Sequence, residues 1–249
     1  MPSNWPEIVA HRGASHDAPE NTLASIRLAW EQNADAVEID VRMSKDGGIV
    51  VIHDSNTLRV AGVDRPVAEQ SLAELRALDV GKWKEARFAG ERIPTLEEVL
   101  ATVPREKRLL IEAKSGQEIV PELGRVLNGS DLRPEQTAII SFNPAVIAAV
   151  KRSRPELTGY WVVNLAPLQD EPLVAEHLIV VARAIQADGL DLSATPGILD
   201  AAFGRLVKAA GLSLGVWTVN DLEMARDMIA AGVESITTDR PGWLRDQLQ

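Results

Sequence analysis

The sequence predicts an α/β protein folded as a (β/α)8 TIM barrel with a short insertion after the third strand, and three observations carry that reading. Its 249 residues match the roughly 250 that such barrels occupy as one unit. Short β-type runs alternate with longer helical patterns, the order that builds a parallel sheet wrapped in helices. Ionisable residues gather where the apolar strands end, on the rim where barrels of this class carry their sites. A composition of 45% hydrophobic and 25% charged residues is that of an ordinary globular domain and excludes disordered, collagen-like and coiled-coil chains.

Strands are expected over Glu7 to His11, Ala36 to Val41, Ile49 to His53, Arg108 to Lys114, Thr137 to Phe142, Thr158 to Val163, Gly189 to Leu192, Leu214 to Val219 and Ser235 to Thr238. Nine candidates for eight barrel positions imply one misassignment. It is expected either between Ala36 and His53, where no helix fits between two strands, or near Gly189. Leu23, Ile26, Trp30 and Ala34 recur at helical spacing, so Asn21 or Thr22 is expected to open the first helix. Leu222, Ala225, Met228 and Ile229 repeat the pattern after Asp221, and Gly232 supplies a helix stop. Between His53 and Pro94 the chain holds Gly62, Gly81 and Gly90 but only one short helical pattern, Ser71 to Leu78. That stretch exceeds an ordinary βα loop. The expectation is a lid or insertion over 55–94 within a single domain spanning 1–249.

With 26 Lys and Arg against 36 Asp and Glu, the net charge of -10 repels nucleic-acid phosphates on average, so no nucleic-acid partner is expected. The absence of cysteine excludes disulfides, thiolate-bound zinc and a cysteine nucleophile. Any metal must be held by histidine or oxygen. The start MPSNWPEIVA has neither a basic n-region nor an apolar h-region, and no run reaches about 18 apolar residues. A cytoplasmic chain without stable membrane insertion is expected; its oligomeric state is open.

Glu38 and Asp40, two residues apart on a strand, project from one face. If Glu112 joins them, three negative charges converge, each pair at about 4 Å costing roughly 4 kcal/mol at an effective dielectric of 20. Such a cluster needs a cation or shifted protonation, and oxygen ligands suit Mg²⁺ or Ca²⁺. A solvent-facing edge strand is the alternative. His11 and His53 each follow an apolar strand, as an acid–base pair would; a hydrogen-bonded structural histidine is the alternative for each. Arg12 and Lys114 bring fixed positive charge to the same rim, either to hold a phosphate or to pair with the local acids. His16 and His177 are read as structural, and Trp161 as core.

The segments AHRG from Ala10, PENT from Pro19, VEIDVRMSKDG from Val37, VVIHD from Val50, IPTLEEVL from Ile93, LLIEAK from Leu109, SFNP from Ser141, WTVN from Trp217 and TDRP from Thr238 together resemble the glycerophosphodiester phosphodiesterase family. Their order and spacing are specific and run nearly end to end. The resemblance implies a (β/α)8 barrel that hydrolyses glycerophosphodiesters, such as glycerophosphocholine or glycerophosphoethanolamine, to sn-glycerol 3-phosphate and an alcohol. It implies one divalent cation, Mg²⁺ or Ca²⁺, on Glu38, Asp40 and Glu112, and His11 and His53 as the acid–base pair. Arg12 and Lys114 correspond to phosphate contacts and Trp217 to an aromatic wall beside the glycerol, with Glu20 and Asn21 in support of substrate binding. After His53 this chain reads SNTLRVAGVD, a departure from the family's usual Arg-Thr-Thr type run, and Glu234 stands where relatives carry Asp. The rival readings are lysophospholipase D activity, for which Val80, Trp83 and Phe88 interrupted by Lys82, Lys84 and Arg87 would form the amphipathic surface, and a silent phosphate-binding barrel.

Overall fold

A computed structural model describes residues 5–168, 171 and 173–248. Eight parallel strands close on themselves in the order β1 (Glu7–His11), β2 (Ala36–Met43), β4 (Arg108–Ala113), β5 (Thr137–Ser141), β6 (Thr158–Val163), β7 (Gly189–Ser193), β8 (Ser213–Trp217) and β9 (Ser235–Thr238), with β9 returning to β1. This is the expected TIM barrel. All nine anticipated strands form. The ninth, β3 (Ile49–Val51), pairs antiparallel with β2, Val41 facing Val51 and Met43 facing Ile49. The expected misassignment is therefore corrected: the surplus strand is real and lies outside the barrel. A five-residue turn suits a hairpin, whereas a parallel crossover needs a dozen or more residues.

Strand periodicity decides which residues reach the site. On β2, Val37, Ile39 and Val41 pack outward against the helices, so Ala36, Glu38 and Asp40 occupy the opposite, inner parity. β4 repeats the arrangement, with Leu109, Ile111 and Ala113 outward and Leu110 and Glu112 inward. The register sets Asp40 beside Glu112, and His11 beside Glu38. Val9, Ala36, Leu110, Ala138, Ile140 and Val162 fill the barrel interior below.

Thr22, rather than Asn21, caps the helix Leu23–Glu31: its side chain accepts from Ser25 N, and Ser25 Oγ accepts from Thr22 N. Asp221 and Gly232 bound the helix Leu222–Ala231 as expected, Gly232 at φ +85°. Beyond β3 the chain forms the helix Leu58–Ala61, the helix Leu72–Ala77 capped by Ser71, and isolated helical turns, more structure than the glycines suggested. A small separate core of Val50, Ile52, Val60, Val67, Leu75, Val80 and Ile93 supports this segment. Its two ends meet where Val51 N donates to the Pro94 carbonyl at 2.9 Å. Among the described residues, no helix is long and apolar enough to cross a membrane.

Candidate active site

At the carboxyl ends of the strands, His11, Arg12, Glu38, His53, Glu112, Lys114 and Trp217 line one cavity of about 90 Å³ together with Ile140, Phe142, Val162, Asp191 and Thr237. His11 closes β1. The next residue, Arg12, adopts φ +57°, a left-handed conformation that costs a non-glycine residue free energy unless its surroundings enforce it. Three hydrogen bonds do so: Arg12 N donates to Glu38 Oε2 at 3.0 Å, and the Arg12 carbonyl accepts from Asn21 N at 3.0 Å and Ser25 Oγ at 2.9 Å. Gly13, at φ +81°, follows where a Cβ would stand 2.5 Å from Ser25 C, so only glycine lets the loop lie on the first helical turn.

Glu38, Asp40 and Glu112 are all buried, and an oxygen from each lies within 4.8 Å of the other two. Lys114 Nζ stands 3.1 Å from Asp40 Oδ1 and 2.6 Å from Glu112 Oε1, and Arg12 Nε 3.2 Å from Asp40 Oδ2. Both cations thus pair with the local acids, but two positive charges face three negative ones. Burial drives the Glu38 carboxyl well above the usual range, and the neighbouring Asp40 and Glu112 push it further. Burial also raises Glu112, against the pull of Lys114. Asp40 goes the other way: burial opposes its charge, but Lys114 and Arg12 outweigh that and hold it low. Glu38 Oε1 is buried without a hydrogen-bond partner among the described residues. An acceptor-only atom in that position, within a trio of converging carboxylates, fits a hard divalent cation.

Asn21 lies beneath this cluster, donating from Nδ2 to Asp40 Oδ2 at 2.8 Å and accepting from Asp40 N at 3.1 Å. It holds Asp40. Glu20 lies outside the smaller cavity, bound by Arg12 Nη1 at 2.9 Å and by both terminal nitrogens of Arg59 at 2.8 Å. Glu20 also lines a wider adjoining space of about 540 Å³, shared with His11, Arg12, Trp83, Lys84, Asn220 and Asp239. Trp217 ends β8, meets Phe142 edge-on at 5.5 Å between ring centres, and donates from Nε1 to the Asp191 carbonyl at 3.1 Å. Trp161 packs half-buried against the outer core, its Nε1 on the Phe142 carbonyl. His16 pairs with Asp17 and stands apart from the smaller cavity.

Each histidine that lines the smaller cavity is oriented by a carboxylate. His11 Nδ1 lies 2.7 Å from Asp239 Oδ1, and His53 Nδ1 lies 2.7 Å from Asp54 Oδ1. Burial disfavours charge on Asp239, yet hydrogen bonds from His11, Asn220 and Ser15 overcome it and bring the pKa down to about 2. Asp54 also falls to about 2, chiefly through Arg59, whose Nε lies 2.6 Å away. Both acids are therefore ionised partners that fix the imidazole tautomer with Nε2 available. Burial lowers the pKa of His53 itself. Arg42 Nε, donating to the His53 carbonyl at 2.8 Å, anchors that residue to β2.

Asp54, Arg59, Phe142, Asp191 and Asp239 are given no role by the sequence reading, although Asp54, Phe142 and Asp239 fall within VVIHD, SFNP and TDRP. A signal existed for three of them, since an acid directly after His53, an acid alternating with Leu190 and Leu192 at Asp191 and a strand-end acid at Asp239 repeat the pattern that singled out Glu38 and Asp40.

The chain matches the Glycerophosphoryl diester phosphodiesterase family over residues 11–243. It belongs to that family. A glycerophosphodiester phosphodiesterase from Caldanaerobacter subterraneus subsp. tengcongensis is 34% identical over 94% of this chain and 94% of its own. One from Bacillus subtilis is 29% identical over 94% and 83%. Among solved structures, an Oleispira antarctica phosphodiesterase in complex with the product sn-glycerol-3-phosphate superposes with a TM-score of 0.87 at 30% identity, covering 98% of this chain and 97% of that one. Family membership makes the protein an enzyme of the phosphoric diester hydrolase class.

Proposed function

We propose that the enzyme hydrolyses glycerophosphodiesters, with glycerophosphocholine and glycerophosphoethanolamine as representative substrates, to sn-glycerol 3-phosphate and an alcohol. One observation carries this reading. Two histidines, each tied through Nδ1 to an ionised carboxylate, line the same cavity as two fixed cations and the edge of a three-carboxylate cluster. The sn-glycerol-3-phosphate held by the Oleispira relative supports a small-molecule ligand of this kind here.

Glu38, Asp40 and Glu112 would hold one Mg²⁺ or Ca²⁺, which when bound supplies Lewis-acid polarisation of the phosphoryl group. With the carboxylates so engaged, Arg12 and Lys114 present N–H donors to the non-bridging phosphate oxygens. One imidazole takes the proton from the attacking oxygen as the new P–O bond forms; water as the attacker gives sn-glycerol 3-phosphate directly, whereas the substrate's own 2-hydroxyl gives a cyclic phosphate that water must then open. The other gives its proton to the departing alcohol oxygen as the old P–O bond breaks. Trp217 and Phe142 supply an apolar wall for the glycerol carbons.

The test is enzymatic release of sn-glycerol 3-phosphate from glycerophosphocholine and glycerophosphoethanolamine in EDTA, Mg²⁺ or Ca²⁺, with lysophosphatidylcholine as a parallel substrate. Release that EDTA stops and a divalent cation restores is expected. Cleavage of the lysolipid alone would transfer the assignment to a lysophospholipase D, and cleavage of nothing under any cation would leave a silent barrel.

A further inference from the structure

Asp191 takes no part in the mechanism above, yet its place in the barrel is distinctive. It lies on β7, the strand diametrically opposite β2 in the closed ring, so it faces the carboxylate cluster from across the cavity. Leu190 and Leu192 pack outward, and that parity turns Asp191 inward. The residue is 4% exposed, and its carboxyl has no hydrogen-bond partner among the described residues. Room for the carboxyl comes from the neighbouring strand, where a Cβ at Gly215 would stand 2.9 Å from Asp191 Oδ1. An acid without a protein partner that opens onto the site cavity is expected to serve a ligand.

The shapes of the two spaces indicate which ligand. Asp191 lies in the smaller one, about 90 Å³, among the apolar side chains of Ile140, Val162 and Trp217. The wider space of about 540 Å³ shares His11 and Arg12 with it but not Asp191. A diester whose phosphorus sits between the histidines would thus place one half against the apolar wall of the small cavity, where Asp191 stands across from the Glu38, Asp40 and Glu112 cluster, and the other half in the broad polar opening. The three-carbon glycerol fits the first description, and alcohols of varied size fit the second.

We propose that Asp191 binds the terminal hydroxyl of the glycerol moiety, the one farthest from phosphorus, and so selects glycerol as the retained half of the substrate. The inference rests on the proposed function and deepens it. Burial, with a further push from Glu112, raises the Asp191 pKa to about 7. A hydroxyl tolerates this because it can donate to the carboxylate or accept from the acid; a quaternary ammonium can do neither.

The experiment compares glycerophosphocholine with its analogue lacking that hydroxyl, the propane-1,2-diol phosphodiester of choline, on the wild type, Asp191→Asn and Asp191→Ala. The wild type is expected to disfavour the analogue by about 10- to 100-fold in kcat/KM, the worth of one hydrogen bond to an ionisable partner. Asp191→Ala should lose that factor on glycerophosphocholine alone, bringing the ratio of the two substrates close to one. Asp191→Asn, which keeps an acceptor and the side-chain shape, should retain part of the discrimination and guards against a folding defect in the alanine variant. A merely structural role would slow both substrates alike and leave the ratio unchanged, which overturns the inference, as does a wild type that accepts both equally. A wild type that cleaves neither substrate instead overturns the functional assignment, and this inference with it.

Discussion

Replacing His11 or His53 with alanine is expected to lower kcat by about 10²- to 10⁴-fold, the range that one acid–base group contributes. Both rings line the cavity and both are held by an ionised acid, so neither is a spare. In the proposed mechanism one proton is removed while another is delivered, so the two roles belong to one step. The double variant should therefore be scarcely slower than the worse single one. Steady-state rates with the circular dichroism spectrum as a folding control decide the matter, and wild-type turnover by both single variants would remove them from the mechanism. Asp239→Asn should cost less than His11→Ala, since it disturbs the orientation of the ring rather than deleting it.

The second large effect concerns the carboxylate cluster, where stability and function should move in opposite directions. Burial and two like charges oppose ionisation of Glu38, and its Oε1 has no partner among the described residues. Removing that charge without changing shape, as in Glu38→Gln, should raise the Tm of the cation-free protein. The amide keeps an oxygen for the Arg12 N–H that Glu38 accepts now. The same variant should lose its response to Mg²⁺ or Ca²⁺ together with turnover. For the wild type, cation at 100 times Kd adds about 2.7 kcal/mol, which at roughly 2–4 °C per kcal/mol for a chain of this size is a rise of about 5–10 °C. Thermal melts with EDTA and with each cation read both predictions. A wild-type Tm indifferent to either ion would argue that Glu38, Asp40 and Glu112 do not form a metal site. Such opposition is usual where a site needs charge that the fold alone would discard.

Much of this was legible in the sequence because strand periodicity is short-range. Alternation of Val37, Ile39 and Val41 with Glu38 and Asp40 already states that the acids share a face. The fate of β3 was half legible: the five residues after Met43 leave no room for a parallel crossover, but the apolar run Ile49 to Ile52 by itself reads alike in a barrel and in a hairpin. Asp191 was missed for a related reason. It carries the same alternating signature between Leu190 and Leu192, but the carboxylate cluster it faces lies across the ring, more than 70 residues away in the chain. Glu20 and Asn21 were placed near the site by resemblance. Their division of labour, one binding Arg12 and Arg59 and the other gripping Asp40, depends on side-chain contacts that spacing does not encode.

The hairpin strand β3 makes the enzyme mechanically composite. The three carboxylates stand on barrel strands whose backbone is paired on both sides, whereas His53 arrives on an appendage with its own small core and its ends latched together. Regions with few buried apolar contacts open first, as cooperative units below the global transition. Heating should therefore release the 52–94 excursion while the barrel persists, producing a species that keeps the carboxylate cluster yet has displaced His53 from the cavity. Amide hydrogen exchange would register this as earlier deuteration at Val67, Leu75 and Val80 than at Ile39 and Ile111, with activity lost at a lower temperature than the main melt. Simultaneous exchange and a coincident loss of activity would mean that the appendage and the barrel open as one. If the two do separate, an inactive preparation of this enzyme need not be an unfolded one.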